Sequence, residues 1–276
     1  FLPRASLYIF GDKSQMKGAK FESHPKAEFI PIEFPEPRRV RASFKKLMRA
    51  CVPSASSAQP DQSFMKQVEG SEWVYLLQSL IQLSGAVVDL LDIQGASVML
   101  CLEDGWDISA QVTSLALLCL DPYYRTIEGF RVLIEKEWLA VGHRFNHRSN
   151  FSNPNQDSGF TPMFLQFLDA VHQIHHQFPM AFEFNQYYLR YLAYHHLSCR
   201  FDTFVFDNEY QRVQTGCHSM YQGLNPGEFG RMDANRSSST SAYMADAYLD
   251  DEGVGLVTGG ARNLTLGDKF ERGANS

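Results

Sequence analysis

"VMLCLEDGWDISAQV", residues 98 to 112, decides how this chain is read. Its compact apolar run predicts a buried strand, an acidic turn holding Gly105 follows, and the spacing beyond predicts a helix. A strand that turns at glycine into a helix start forms a cradle for phosphate, because the unpaired N–H groups and the helix dipole face the anion. A cysteine phosphatase built on such a loop needs a thiolate to attack phosphorus. It also needs an arginine to grip two phosphate oxygens and an acid for the leaving oxygen. The nucleophile and arginine positions here hold Leu102 and Ile108. Neither side chain can do that chemistry, and both are expected to line the pocket with apolar surface.

The charges around the loop point the same way. Glu103, Asp104 and Asp107 stand with no arginine between them in sequence, so anion affinity is expected to be low. Asp107 reads as a helix cap, since an acid at a helix start is favourable. Cys101 is no substitute nucleophile, because the residue where its arginine would stand is Asp107; it reads as a buried strand cysteine.

Outward from the loop, "ASLYIFG" predicts a strand ended by a Gly-Asp turn, and "AEFIPIEFPEPRRV" an edge strand or extended connector. "VRASFKKLMRAC" has helical spacing and a basic face of Arg38, Arg39, Arg41, Lys45, Lys46 and Arg49. That face reads first as solvated and second as a contact for an acidic partner or lipid headgroup. "SEWVYLLQSLIQLSGAVVDLLDIQG" predicts a helix with a Ser N-cap, ending near Gly95. "SAQVTSLALLCL" and "DPYYRTIEGFRVLIEKEWLAVG" follow as helices, the second capped by Asp121 with Pro122 in its first turn. "FTPMFLQFLDAVHQIHHQF" and "EFNQYYLRYLAYHHLSC" predict two more. Residues 1 to 219 read as one domain, and 220 to 276, rich in Ser, Gly, Asp and Asn, as a mostly disordered tail.

The composition limits the classes of function. The chain has 276 residues, 44% hydrophobic, with a net charge of −6, which supplies no bulk drive toward nucleic acid or anionic membrane. Five cysteines without a C-x-x-C argue against a disulfide framework or structural zinc and for a reducing compartment. No apolar run reads as long enough to span a bilayer. His172 and His176 have the i, i+4 spacing of a helical metal pair, yet Gln173 stands where a metalloprotease places its Glu, so packing histidines are expected and no metal or other cofactor.

"CLEDGWDISAQVTSLALLCLDPYYRTIEGFRVLIEKEWLAVGHRF" resembles the myotubularin family of phosphoinositide 3-phosphatases. Active members carry His-Cys-Ser-Asp-Gly-Trp-Asp-Arg-Thr. Laid over that loop, Cys101 stands at the histidine, Leu102 at the nucleophile, and Glu103 at the serine. Asp104, Gly105, Trp106 and Asp107 match, while Ile108 replaces the arginine and Ser109 the threonine. The blocks "GSEWVYLLQSLIQLSGAVVDLL" and "FLQFLDAVHQIHHQFPMAFEFNQYYL" resemble the same family. "YIFGDKSQ" and "EFPEPRRVRASFKKLMRAC" resemble its catalytically dead SET-binding-factor branch.

The resemblance implies an α/β, cysteine-phosphatase-like fold, a central sheet flanked by helices, with the domain entered after its first strands. It also implies a pseudophosphatase without catalytic residues, which works as an adaptor in a hetero-oligomer with an active myotubularin-related phosphatase. The parent protein is then expected to contact a Rab GTPase through an exchange-factor (DENN) domain and membranes through other domains. Its expected place is the cytoplasm, peripheral to endosomal or other membranes. Two further readings are a weakly active phosphoinositide 3-phosphatase and a phosphoprotein-binding module, the latter disfavoured by the missing arginine.

Overall fold

The computed structural model describes residues 6–12, 26–51, 63–102, 104–149 and 160–215. The expected tail, 220 to 276, lies outside the described residues. Three short strands, β1 (Leu7–Gly11), β2 (Ala27–Pro31) and β3 (Ser97–Cys101), form a parallel sheet in the order β2-β1-β3. Parallel pairing requires crossover connections. Helices α1 (Pro37–Cys51), α2 (Phe64–Gly70) and α3 (Trp73–Val88) supply the one from β2 to β3. The α/β expectation holds, with a small parallel sheet and many helices. Among the described residues β2 is an edge strand, where the missing N–H of its terminal proline breaks no central ladder.

β3 departs from the expected buried strand. Among the described residues it is the other edge of the sheet, and Met99 is 47% exposed. Its side chains alternate between the core and the open face, as a strand covered on one side must. β1 and β3 meet in register at Gly11 and Cys101. A Cβ on Gly11 would lie 3.1 Å from the Cys101 carbonyl oxygen, so the glycine permits the close approach beside the loop.

α3 continues through a π-helical turn, Asp89–Ile93, before Gly95 at φ 59° ends the run. Ser71 accepts the Trp73 N–H at 3.2 Å and thereby serves the first turn, as its cap reading predicts, although Glu72 occupies the boundary position itself. The expectation that no apolar run could span a bilayer needs correction: Trp73–Ile93 is long and apolar enough by length and composition. Its Trp73, Leu76, Leu77, Leu80, Val87 and Leu90 nevertheless enter the domain core, where α3 packs on α1 and on the helices Ile108–Leu120 and Met163–Gln177.

Helix α4 (Ile108–Leu120) follows the loop and is buried on nearly every side, as a helix apolar all round must be. The helix expected over "DPYYRTIEGFRVLIEKEWLAVG" is interrupted. Asp121 caps only a short 3-10 turn, Pro122–Arg125, by accepting the Tyr123 N–H. Thr126 then caps α5 (Ile127–Ile134), which runs on as a π-helical turn, Glu135–Leu139. Gly129 is required at this corner, because a Cβ there would sit 1.8 Å from the Tyr123 carbonyl oxygen. Among the described residues there follow α6 (Phe145–Ser149), α7 (Met163–Gln177), α8 (Gln186–His195) and α9 (Glu209–Gln214).

The core lies mainly between helices, around fully buried Trp138. The rings of Phe164 and Phe167 from α7 stand 4.9 and 5.0 Å from it, and its indole N–H donates to Ser114 of α4 at 3.0 Å. Gln111 and Gln166 join α4 to α7 inside this core by a 3.0 Å side-chain bond, with Gln111 also donating to the Met163 carbonyl at 2.8 Å.

Candidate functional site

The loop is held open-side-out by its backbone. Gly105 takes φ 83°, a left-handed conformation that glycine adopts without strain, and its N–H closes on the Leu102 carbonyl at 3.1 Å. Ser109 Oγ donates to the same carbonyl at 3.2 Å, tying the first turn of α4 back to the end of the strand. Asp104 and Gly105 are exposed and Trp106 is half-buried, while Glu103 lies outside the described residues.

Leu102 and Ile108, expected from sequence to line a pocket, are packed into the core instead. They are 3% and 1% exposed and belong to the hydrophobic core. The physical reason is the transfer free energy of the two side chains, about 2 kcal/mol each on burial. Each has apolar neighbours within reach below the loop, so both turn inward. Cys101 is half-buried at the end of β3 rather than fully enclosed.

Asp107 has the position of a cap, as expected, but different bonding partners. It occupies the N-terminal boundary of α4, yet its side chain accepts no bond from the first turn. Its carboxylate instead faces His143, with Nδ1 3.1 Å from Oδ1, and Arg148, whose Nη2 reaches Oδ2 and whose Nε lies 3.4 Å from Oδ1. Arg148 brings a full positive charge to the carboxylate, which a backbone N–H of the first turn does not, and so wins it from the cap position. Arg148, supplied by α6, is the compensating arginine that the local sequence lacks. Burial of Asp107, 3% exposed, acts to raise its carboxyl pKa. The hydrogen bond and charge of His143, then the charge and hydrogen bond of Arg148, outweigh burial and hold it below the usual carboxylate range. Asp107 is therefore an ionised acceptor in a buried cluster.

His143 links this cluster to the core. Its Nδ1 is 2.9 Å from the Trp106 carbonyl oxygen, which can only accept, so that nitrogen carries the proton. Its ring packs edge-on to Trp138 at 4.8 Å. The guanidinium groups of Arg144 and Arg148 lie 4.8 and 4.7 Å from the Trp106 ring centroid, within cation–π range. Sequence reading assigned no role to His143, Arg144 or Arg148. The available signal was the run "HRFNHR", residues 143 to 148, which places two arginines four apart after a histidine.

The histidines considered for metal take other parts. The rings of His172 and His176 are stacked at 6.3 Å, and His175 Nε2 lies 3.1 Å from the Phe184 carbonyl oxygen. Among the described residues no group of three or more His, Cys, Asp or Glu is arranged to hold a metal. Cys51, Cys101, Cys119 and Cys199 are free thiols.

The chain matches the family model "Myotubularin-like phosphatase domain" over residues 3–213. It is 36% identical over 250 residues to myotubularin-related protein 5 of Caenorhabditis elegans, which covers 89% of this chain and 14% of that protein. It is 38% identical over 189 residues to myotubularin of Xenopus laevis, covering 68% and 31%. Phosphatidylinositol-3-phosphate phosphatase MTMR7 of Mus musculus matches at 35% over 229 residues, covering 80% and 34%. The chain thus spans about a third or less of the length of these curated relatives.

Proposed function

The chain belongs to the myotubularin-like phosphatase domain family, and on that premise we propose that it is a catalytically inert member acting by association with an active relative. One observation carries the proposal: Leu102 and Ile108 occupy the nucleophile and arginine positions of the loop and are both sealed in the hydrophobic core. An apolar pair locked below the loop offers no thiolate to phosphorus and no bidentate clamp to a phosphate oxygen. Asp107, a buried acid at the loop, is engaged by His143 and Arg148.

The same reading places the chain in the SET-binding-factor branch. Its parent protein then carries a DENN exchange domain for a Rab GTPase and sits at the cytoplasmic face of endosomal or other membranes. The partner in this reading is an active myotubularin-related phosphatase, bound in a hetero-oligomer, for which the inert domain is a folded scaffold that does not compete for lipid.

Phosphate release from phosphatidylinositol 3-phosphate and phosphatidylinositol 3,5-bisphosphate tests the first half. The expected result is release equal to a no-protein blank. Release above the blank that disappears in Asp107→Asn would establish the alternative, a weak phosphoinositide 3-phosphatase. Co-purification of the full-length parent with an active relative tests the second half, and its failure under conditions where that relative binds other family members would refute the adaptor role.

A further inference from the structure

Helix α1 carries six cations, Arg38, Arg39, Arg41, Lys45, Lys46 and Arg49, and no carboxylate in its fifteen residues. The chain around it is net acidic at −6. The cations fall on one side of the helix, because Val40, Ser43 and Ala50 point into the protein and Phe44 packs on Trp73 with ring centroids 5.5 Å apart. Arg38, Arg39, Lys45, Lys46 and Arg49 are exposed. Arg39 pairs with Glu72 at 3.2 Å and lies 6.0 Å from the Tyr75 ring. Among the described residues the other five make no ion pair.

A second feature adjoins this face. Helix α2, packed beside α1, exposes Phe64 and Met65 by 55% and 70%. Next to Arg39, the start of α3 exposes Val74 and Tyr75. Large exposed apolar side chains on the helices packed beside a basic helix fit a surface that offers negative charge and hydrocarbon together.

We infer that α1 and the start of α2 form a docking face for an anionic phospholipid bilayer. Phosphate and carboxylate headgroups meet Arg38, Arg41, Lys45, Lys46 and Arg49, while Phe64 and Met65 enter the boundary of the acyl region. An acidic protein would satisfy the cations and leave the exposed phenyl and thioether groups without a counterpart. The acidic remainder of the chain is repelled by the same bilayer, so the basic face is turned toward it. This inference is independent of whether the loop is catalytically inert.

Sedimentation of the whole chain with vesicles tests it, using phosphatidylcholine alone or mixed with phosphatidylserine. Binding is expected to the mixed vesicles and to weaken with added salt, since screening shortens the reach of the charges. Replacing Arg38, Lys45, Lys46 and Arg49 by Gln should weaken it by more than tenfold, with each cation worth on the order of fivefold. Gln keeps helix propensity, and the charge-preserving pair Lys45→Arg and Lys46→Arg should bind as the parent does. Phe64→Ser with Met65→Ser should lower affinity while leaving the salt dependence unchanged. Equal binding to both vesicle types, or full binding by the Gln variant, would overturn the inference. Capture by an acidic polypeptide such as polyglutamate with no binding to mixed vesicles would overturn it too, and would assign the face to an acidic protein.

Discussion

Removing Arg148 tests whether the Asp107 cluster is a structural tie. In Arg148→Met the aliphatic stem is kept and the guanidinium is lost, leaving Asp107 buried at 3% exposure with His143 as its remaining partner. Breaking a buried ion pair by deleting one side costs about 3–5 kcal/mol, and the surviving His143 contact places this case near 3 kcal/mol. For a domain of this size that corresponds to a fall in Tm of about 6–12 °C. Asp107→Asn should cost less, about 1–2 kcal/mol, because Arg148 is 17% exposed and can turn its guanidinium to water. Combining the two should cost less than the sum, with a coupling of about 1.5 kcal/mol. The pH dependence has a definite sign. In the parent, Asp107 has a lowered pKa, so its contribution is present above pH 3.8 and is lost as pH falls below that value. Without Arg148, burial gains weight, the carboxyl moves upward, and the deficit of Arg148→Met should narrow as pH falls from 7 to 5. Urea denaturation of the four proteins at both pH values measures all of this. A cost below about 1 kcal/mol for Arg148→Met, with no coupling to Asp107→Asn, would refute the reasoning.

Three further outcomes are expected. Leu102→Cys and Ile108→Arg, singly, should give no turnover in the phosphate-release assay, and Ile108→Arg should lose about 3–5 kcal/mol of stability because its site is 1% exposed core; turnover in either single variant would refute this account of the loop. Burial pushes His196 down to about 4, so it stays neutral when folded while the unfolded ring protonates from its ordinary 6.5. Stability should therefore be complete above 6.5 and fall as pH drops toward 4, by about 2 kcal/mol at pH 5, and His196→Phe should remove that slope in denaturant titrations. Gly129→Ala should destabilise by about 3 kcal/mol in thermal melts, since the added Cβ meets the Tyr123 backbone at 1.8 Å and neither side can yield cheaply.

What the sequence settled by itself is what depends on residue identity and near neighbours. Gly105 must turn, because the chain reverses from strand into helix within a few residues and φ there is positive. That Leu102 carries no thiol and Ile108 no guanidinium is visible in the letters, since no fold adds an atom. The helices at 73–88, 163–177 and 186–195 follow from apolar spacing, and the Asp121–Pro122 pair correctly marks a start, though of a 3-10 turn. Tertiary structure alone decided where side chains point and which charges meet. Asp107 reads as a helix cap in sequence, but its partner Arg148 comes 41 residues later, and packing of His143 and Phe145 against Trp138 brings α6 to the loop. Leu102 and Ile108 read as pocket lining, yet the core below offers them a drier place. β3 reads as buried from its apolar run, but a strand's exposure depends on what lies beside it, and periodicity within five residues carries no record of its neighbours.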